Sequence, residues 1–91
     1  MANIGQFQVG TEWQKLDDVT SYTYEADKSY TIQNKGYQAL QLCEGANKPT
    51  EDRVGFIIQT GDKVGYTCKS GEYCWVRSFQ NKVQFNIAEG V

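Results

Sequence analysis

At 91 residues the chain holds one domain and has no room for a second. Nine Lys and Arg against eleven Asp and Glu give a net charge of −2 with no basic stripe, which removes the electrostatic case for nucleic-acid binding. Histidine is absent, so the commonest general base and the commonest metal ligand are missing together. A domain of this size buries about two thirds of the surface its unfolded chain exposes, so its stability is open to sharing with an oligomer partner. No apolar run approaches the roughly 20 residues of a membrane span. Met1-Ala2-Asn3-Ile4-Gly5-Gln6 lacks the basic and apolar regions of a signal peptide, which predicts a soluble protein made in a cytoplasm with no membrane partner.

In chain order, residues 1–10 place the alternating Phe7-Gln8-Val9 between Gly5 and Gly10 and predict an extended arm or a first edge strand. This segment is the best placed to reach a neighbour. Trp13 then precedes the acidic pair Asp17-Asp18, and residues 19–24 are β-branched and aromatic enough for a strand with Tyr22 and Tyr24 on one face. A polar connection, residues 25–28, leads into the clearest unit of the chain. Residues 29–44 read as a β-hairpin: Tyr30 and Ile32 share one face, Leu40 and Leu42 share another, and Gln33, Asn34 and Gln41 stay polar. Asn34-Lys35-Gly36 supplies the turn, with Gly36 expected at positive φ.

Residues 45–53, which include the single proline Pro49, form the longest stretch without periodicity and predict the main loop. Residues 54–59 are nearly continuous in apolar side chains, the pattern of a strand buried on both faces. Further strands follow at residues 64–68, 73–78 and 82–87, separated by turns at residues 60–63, around Ser70-Gly71, and at residues 79–81. About eight short strands with turn signals between them and no helical period predict an all-β domain. It is expected to be a single antiparallel sandwich or barrel over residues 11–91, with a Greek-key or jelly-roll path compatible with the spacing.

Chemistry-bearing patterns are few. Asp17-Asp18 and Glu51-Asp52 are neighbours within polar connections rather than acids facing each other across a cleft, and read as solvated loop charges. Cys43, Cys68 and Cys74 lack paired C-x-x-C spacing and a fourth soft ligand, so no metal is expected. An odd count without a signal peptide argues for reduced thiols acting as small apolar side chains, although Cys68 and Cys74 flank a turn and would pair if they lay on neighbouring strands. No glycine-rich loop leads into a helix, so no nucleotide and no other cofactor is expected. Trp13, Tyr22, Tyr24, Tyr37, Tyr66, Tyr73 and Trp75 are mostly core candidates, with a stacking platform for sugars as the functional alternative. The less usual feature is the polar complement of the strands. Gln6, Gln8, Gln33, Gln38, Gln41, Gln59, Gln84 and Asn86 stand where charged side chains often blunt sheet edges, and uncharged amides suit packing against copies or a lattice as well as a plain solvated sheet.

Trp13 to Leu16, the run Tyr30-Thr31-Ile32-Gln33-Asn34-Lys35-Gly36, the Pro49 loop, the Gly61 turn and Trp75-Val76-Arg77-Ser78 together resemble small virion proteins of tailed bacteriophages. The resemblance covers roughly residues 13–87 and does not include the cysteines or the glutamines. It implies a compact β-sandwich without catalytic activity, made in a bacterial host cytoplasm and residing in the virion. Such a protein decorates and stabilises the capsid, or serves as a head or tail appendage. It further implies the major capsid protein or other virion proteins as partners, often with the chain as a homo-oligomer, a trimer above all. Phe7, Gln8, Val9 and Trp13 are then the candidate lattice contacts, with residues 1–10 as the bridging arm. The alternative is a carbohydrate-binding module or receptor-binding sandwich using exposed aromatic rings.

Overall fold

Alternation of apolar and polar side chains places most strands where the sequence puts them, and the computed structural model describes residues 2–51 and 54–90. Eight strands form: β1 (Asn3–Val9), β2 (Gln14–Lys15), β3 (Ser29–Asn34), β4 (Leu40–Gly45), β5 (Phe56–Ile58), β6 (Lys63–Thr67), β7 (Tyr73–Ser78) and β8 (Val83–Glu89). They make two four-stranded antiparallel sheets, an outer pair of layers with orders β1-β8-β3-β6 and β2-β7-β4-β5. The pairings β4 with β5, β3 with β6, β2 with β7 and β1 with β8 are nested like the arms of one long hairpin whose tip lies between β4 and β5. Rolled up so that successive pairs fall in alternate sheets and β8 also meets β3 and β7 meets β4, this is a jelly roll.

The inward positions of both sheets fill the space between them. Tyr30, Ile32, Val83, Phe85, Ile87 and Val9 come from one sheet and Leu40, Leu42, Cys74, Val76 and Ile58 from the other, all buried. Each such side chain contributes about 1.5–3 kcal/mol when fully buried, so the interface between the sheets is the principal source of stability. At one end Tyr22, Tyr24, Tyr30 and Tyr66 pack edge to face and stacked, with Tyr24 centred 4.9 Å from both Tyr22 and Tyr30. Their hydroxyls remain bonded: Tyr24 to the Thr20 hydroxyl at 3.0 Å, and Tyr30 accepting from the Glu25 amide at 3.1 Å.

Several expectations are corrected. The hairpin over residues 29–44 does not form, because β3 and β4 lie in different sheets and residues 35–39 carry the chain across. Gly36 is not at positive φ. It is needed for close approach, since a Cβ there would stand 2.8 Å from Val83 Cγ2 and 2.9 Å from the Gln84 nitrogen. Residues 19–24 are not a strand. A single helical turn, α1 (Leu16–Thr20), buries Leu16 and Thr20 four residues apart and keeps Asp17 and Asp18 in the first turn. It ends at Ser21 in the left-handed region, and Tyr22 and Tyr24 reach the aromatic cluster from the loop that follows. The run over residues 54–59 is not buried on both faces: β5 is a sheet edge, with Phe56 59 % and Ile57 45 % exposed. Of the two forms expected for residues 1–10, Asn3–Val9 take the edge strand, laid along β8 with a bulge between Asn3 and Gly5. Cys68 and Cys74 belong to segments of opposite sheets and are free and buried. Asp52 and Arg53 of the expected main loop lie outside the described residues, as do Met1 and Val91.

Candidate functional site

The outward positions of β1, β8, β3 and β6 are set by the same alternation that fills the core, and strand register aligns them in rows. Gln8 lies beside Gln84, and Gln6 beside Asn86, which lies beside Gln33, which lies beside Lys63. The next row is Ala88, Thr31 and Gly65. Gln6, Gln8, Gln33, Gln84 and Asn86, dispersed in sequence, are therefore gathered on one sheet face. No acidic side chain falls within these rows, and Lys63 at the β6 edge is their one charge.

Part of this face is tied down and part is free to bind. The Asn86 amide donates to Asn3 Oδ1 at 2.7 Å, Gln33 Nε2 donates to the Gly61 carbonyl at 2.9 Å, and Thr31 Oγ1 donates to the Gly90 carbonyl at 2.6 Å. Among the described residues, the side chains of Gln6, Gln8 and Gln84 have no intramolecular hydrogen-bond partner, and all three are exposed. Two shallow depressions flank them. One, of about 290 Å³, is lined by Gln6, Phe7, Gln8 and Gln84. The other, of about 240 Å³, runs from Gln8 and Gln84 to Gly36, Tyr37, Gln38 and Lys82. Tyr37 stands at this end with 96 % of its surface in solvent, held out by the crossover between β3 and β4.

One buried side chain ties the crossover to both sheets. Asn34 is fully buried, and its amide donates to the Gln38 carbonyl at 2.7 Å and the Ile58 carbonyl at 2.8 Å while its Oδ1 accepts from the Gly36 nitrogen at 2.9 Å. One side chain thereby links the end of β3, the crossover and β5 of the opposite sheet.

Of the contact residues expected from sequence, Gln8 alone projects from the amide face. Phe7 packs inward against Phe85 with ring centroids 6.0 Å apart, and Val9 is core. Trp13 is 7 % exposed beneath Arg77, whose guanidinium lies 5.3 Å from the indole and 5.6 Å from the Phe79 ring. Trp75 is equally buried, donating to the Gly45 carbonyl at 3.1 Å, with Lys15 Nζ above the neighbouring Tyr73 ring at 3.9 Å. The indoles thus build the outside of the second sheet rather than an open platform. Gln6, Gln33, Gln84 and Asn86 were legible as polar strand residues, but their sharing of one face depends on strand order.

Electrostatic perturbation is concentrated elsewhere. Near the end of β8 Glu89 accepts from Lys28 at 3.2 Å and from the Tyr22 hydroxyl at 3.1 Å. Lys28, then Tyr22, hold the Glu89 carboxyl below its ordinary range, and Glu89 raises the Lys28 ammonium in return. Burial pushes up the Cys74 thiol and the Tyr24 and Tyr66 phenols. These groups stabilise structure and do not converge on a cleft. Among the described residues no cluster of three or more His, Cys, Asp or Glu is placed to hold a metal ion, and no helix is long and apolar enough to cross a membrane. No protein family, curated protein or solved structure matches this chain.

Proposed function

We propose that this chain is a non-enzymatic assembly protein that attaches to a protein lattice through the amide face of the β1-β8-β3-β6 sheet. The observation that carries this reading is the pair of rows Gln8–Gln84 and Gln6–Asn86–Gln33, which contain no acidic side chain and several amides free to bond outward. Such a face meets a partner sheet or loop by hydrogen bonds from neutral groups, at a smaller desolvation cost than charged groups impose. Repetition of a modest contact over a lattice multiplies it into avidity. Taken with the resemblance of the sequence to tailed-phage virion proteins, the specific proposal is a capsid decoration or stabilisation protein residing in the virion, with the major capsid protein as its partner.

Quantitative mass spectrometry of purified particles tests the virion part: hundreds of copies per particle support it, and complete absence overturns it. The surface is tested by Gln84→Lys and Gln6→Glu separately. Each is expected to lower occupancy of the lattice at least about tenfold, because a charge is buried without a partner. Both should melt like the parent, since these side chains are exposed. Full occupancy by both variants would move the contact off this face.

A carbohydrate-binding module is the second reading, favoured by the solvent-exposed Tyr37 ring beside Gln38 and Lys82. It predicts a glycan that binds the parent and not Tyr37→Ala; a silent glycan array removes it.

A further inference from the structure

A different surface, on the far side of the sandwich from β1, carries its own exposed chemistry. The four sheet edges are treated unequally. β1 is bulged at Gly5, β2 is two residues long and includes Lys15, and β6 carries Lys63. These are devices that discourage edge-to-edge contact. β5 is also short, at three residues, but it has neither bulge nor charge: from Val54 to Gly61 the chain is uncharged, and Phe56 and Ile57 are 59 % and 45 % exposed. Beside β5 the two sheets part, leaving a groove of about 470 Å³ lined by Phe56, Ile57, Ile58, Asp62, Lys63 and Val64 among others. Its walls come from the edge strands of both sheets. The Ile58 carbonyl is already taken by Asn34, so this end of the edge is closed to a long added strand, and side-chain packing rather than sheet extension is the available mode.

We propose that this edge is a two-fold contact between copies of the chain, in which Phe56 of each copy enters the β5–β6 groove of the other. Three features select a second copy as the occupant. The surface carries an exposed aromatic knob, Phe56, at the rim of a groove large enough for a ring, whose wall is apolar at Ile57, Ile58 and Val64 and polar at Asp62 and Lys63, so two copies related by a two-fold axis can each seat the other's knob. Among the described residues the charges at the groove are Asp62 and Lys63, one of each sign, so a two-fold contact can set each against its opposite on the other copy. The size also fits. With molecular extents of 30 × 27 × 20 Å, the side that holds this edge bounds the contact at about 600 Å² per copy, the size class of a weak, reversible interface. Such an interface gives a reversible dimer with an aromatic anchor at its centre, with half-association at tens of micromolar as an order of magnitude.

Sedimentation velocity on the purified chain over a range from about 5 to 500 µM is the test. The expected result is a mass that rises with concentration from the 10.3 kDa monomer to its dimer. Phe56→Ser is expected to raise the dissociation constant at least about tenfold. Ile57→Lys, which brings like charges face to face, should do the same, and both should keep the parent's melting temperature because the side chains are exposed. A parent that stays monomeric throughout, a trimer in place of a dimer, or a dimer that survives both substitutions overturns the proposal. Gln84→Lys leaves this association unchanged, so failure of the lattice-binding reading and failure of this one are separately visible.

Discussion

Asn34 shows how one side chain can decide the local path of the chain. Read in sequence it is a turn-former beside a glycine; in the structure it is buried and makes three hydrogen bonds that span both sheets. Asn34→Ala would leave the Gln38 and Ile58 carbonyls and the Gly36 nitrogen without that partner. The expected loss is about 2–4 kcal/mol in urea unfolding, with the m-value unchanged. An equally conservative change at exposed Gln84 should cost under about 0.5 kcal/mol. The contrast checks that the effect belongs to the crossover and not to amides in general. Asn34 was legible as important to a turn because Asn and Gly attract attention there. Its burial was not, since nothing local in Asn34-Lys35-Gly36 distinguishes a turn within a sheet from a passage between sheets.

At the scale of elements, strand positions and strand partners have different sources. The alternation of Tyr30 and Ile32, of Leu40 and Leu42, and of Val83, Phe85 and Ile87 marks which side of each strand faces the core, and β3, β4, β7 and β8 form where it occurs. Alternation says nothing of which sheet a strand joins, so β3 and β4 read as a hairpin although their partners lie 28 or more positions along the chain or across the tip at β5. Apolar density misled at β5 for a related reason: Phe56-Ile57-Ile58 resembles a central strand but occupies an edge. The amide face inherits the same limit, because Gln8, Gln33 and Gln84 become neighbours only through the pairings of β8. Strand order also ranks truncations. Removing residues 1–10 takes away an edge strand with buried Val9 and half-buried Phe7, at a cost of about 3–5 kcal/mol. Removing residues 83–91 takes away β8, the strand between β1 and β3, and strips Val83, Phe85 and Ile87 from the core. The first variant should retain a cooperative, lowered thermal transition by circular dichroism and the second should show none; equal behaviour of the two would contradict this order.

For the whole molecule, the tyrosine-rich end of the sandwich and the buried thiol make stability depend on alkaline pH. Burial raises the Cys74 thiol from its ordinary 9.0 and the Tyr24 and Tyr66 phenols from their ordinary 10.0. Between those values and the higher ones of the folded state, the unfolded chain releases protons that the native chain retains. The unfolded state then binds fewer protons, and stability falls as pH rises, by up to about 1.4 kcal/mol per pH unit for each group. Below the unfolded values both states are protonated and the contribution is complete. In reducing buffer the unfolding free energy should therefore be insensitive to these groups up to about pH 8, begin to fall near pH 9 as the unfolded thiol ionises, and steepen above pH 10 as the phenols follow. Cys74→Ala is expected to lower stability at neutral pH by leaving a small cavity, yet to reduce the first part of the decline, to which the Cys43 thiol, also raised by burial, contributes the rest. Tyr24→Phe should flatten the later part while losing the bond to Thr20. Urea midpoints of the three proteins from pH 7 to pH 11 separate these contributions: a parent profile flat through pH 10 would show that folding does not raise the thiol, and a decline unchanged in slope by either substitution would show that the protons are lost from groups outside this core.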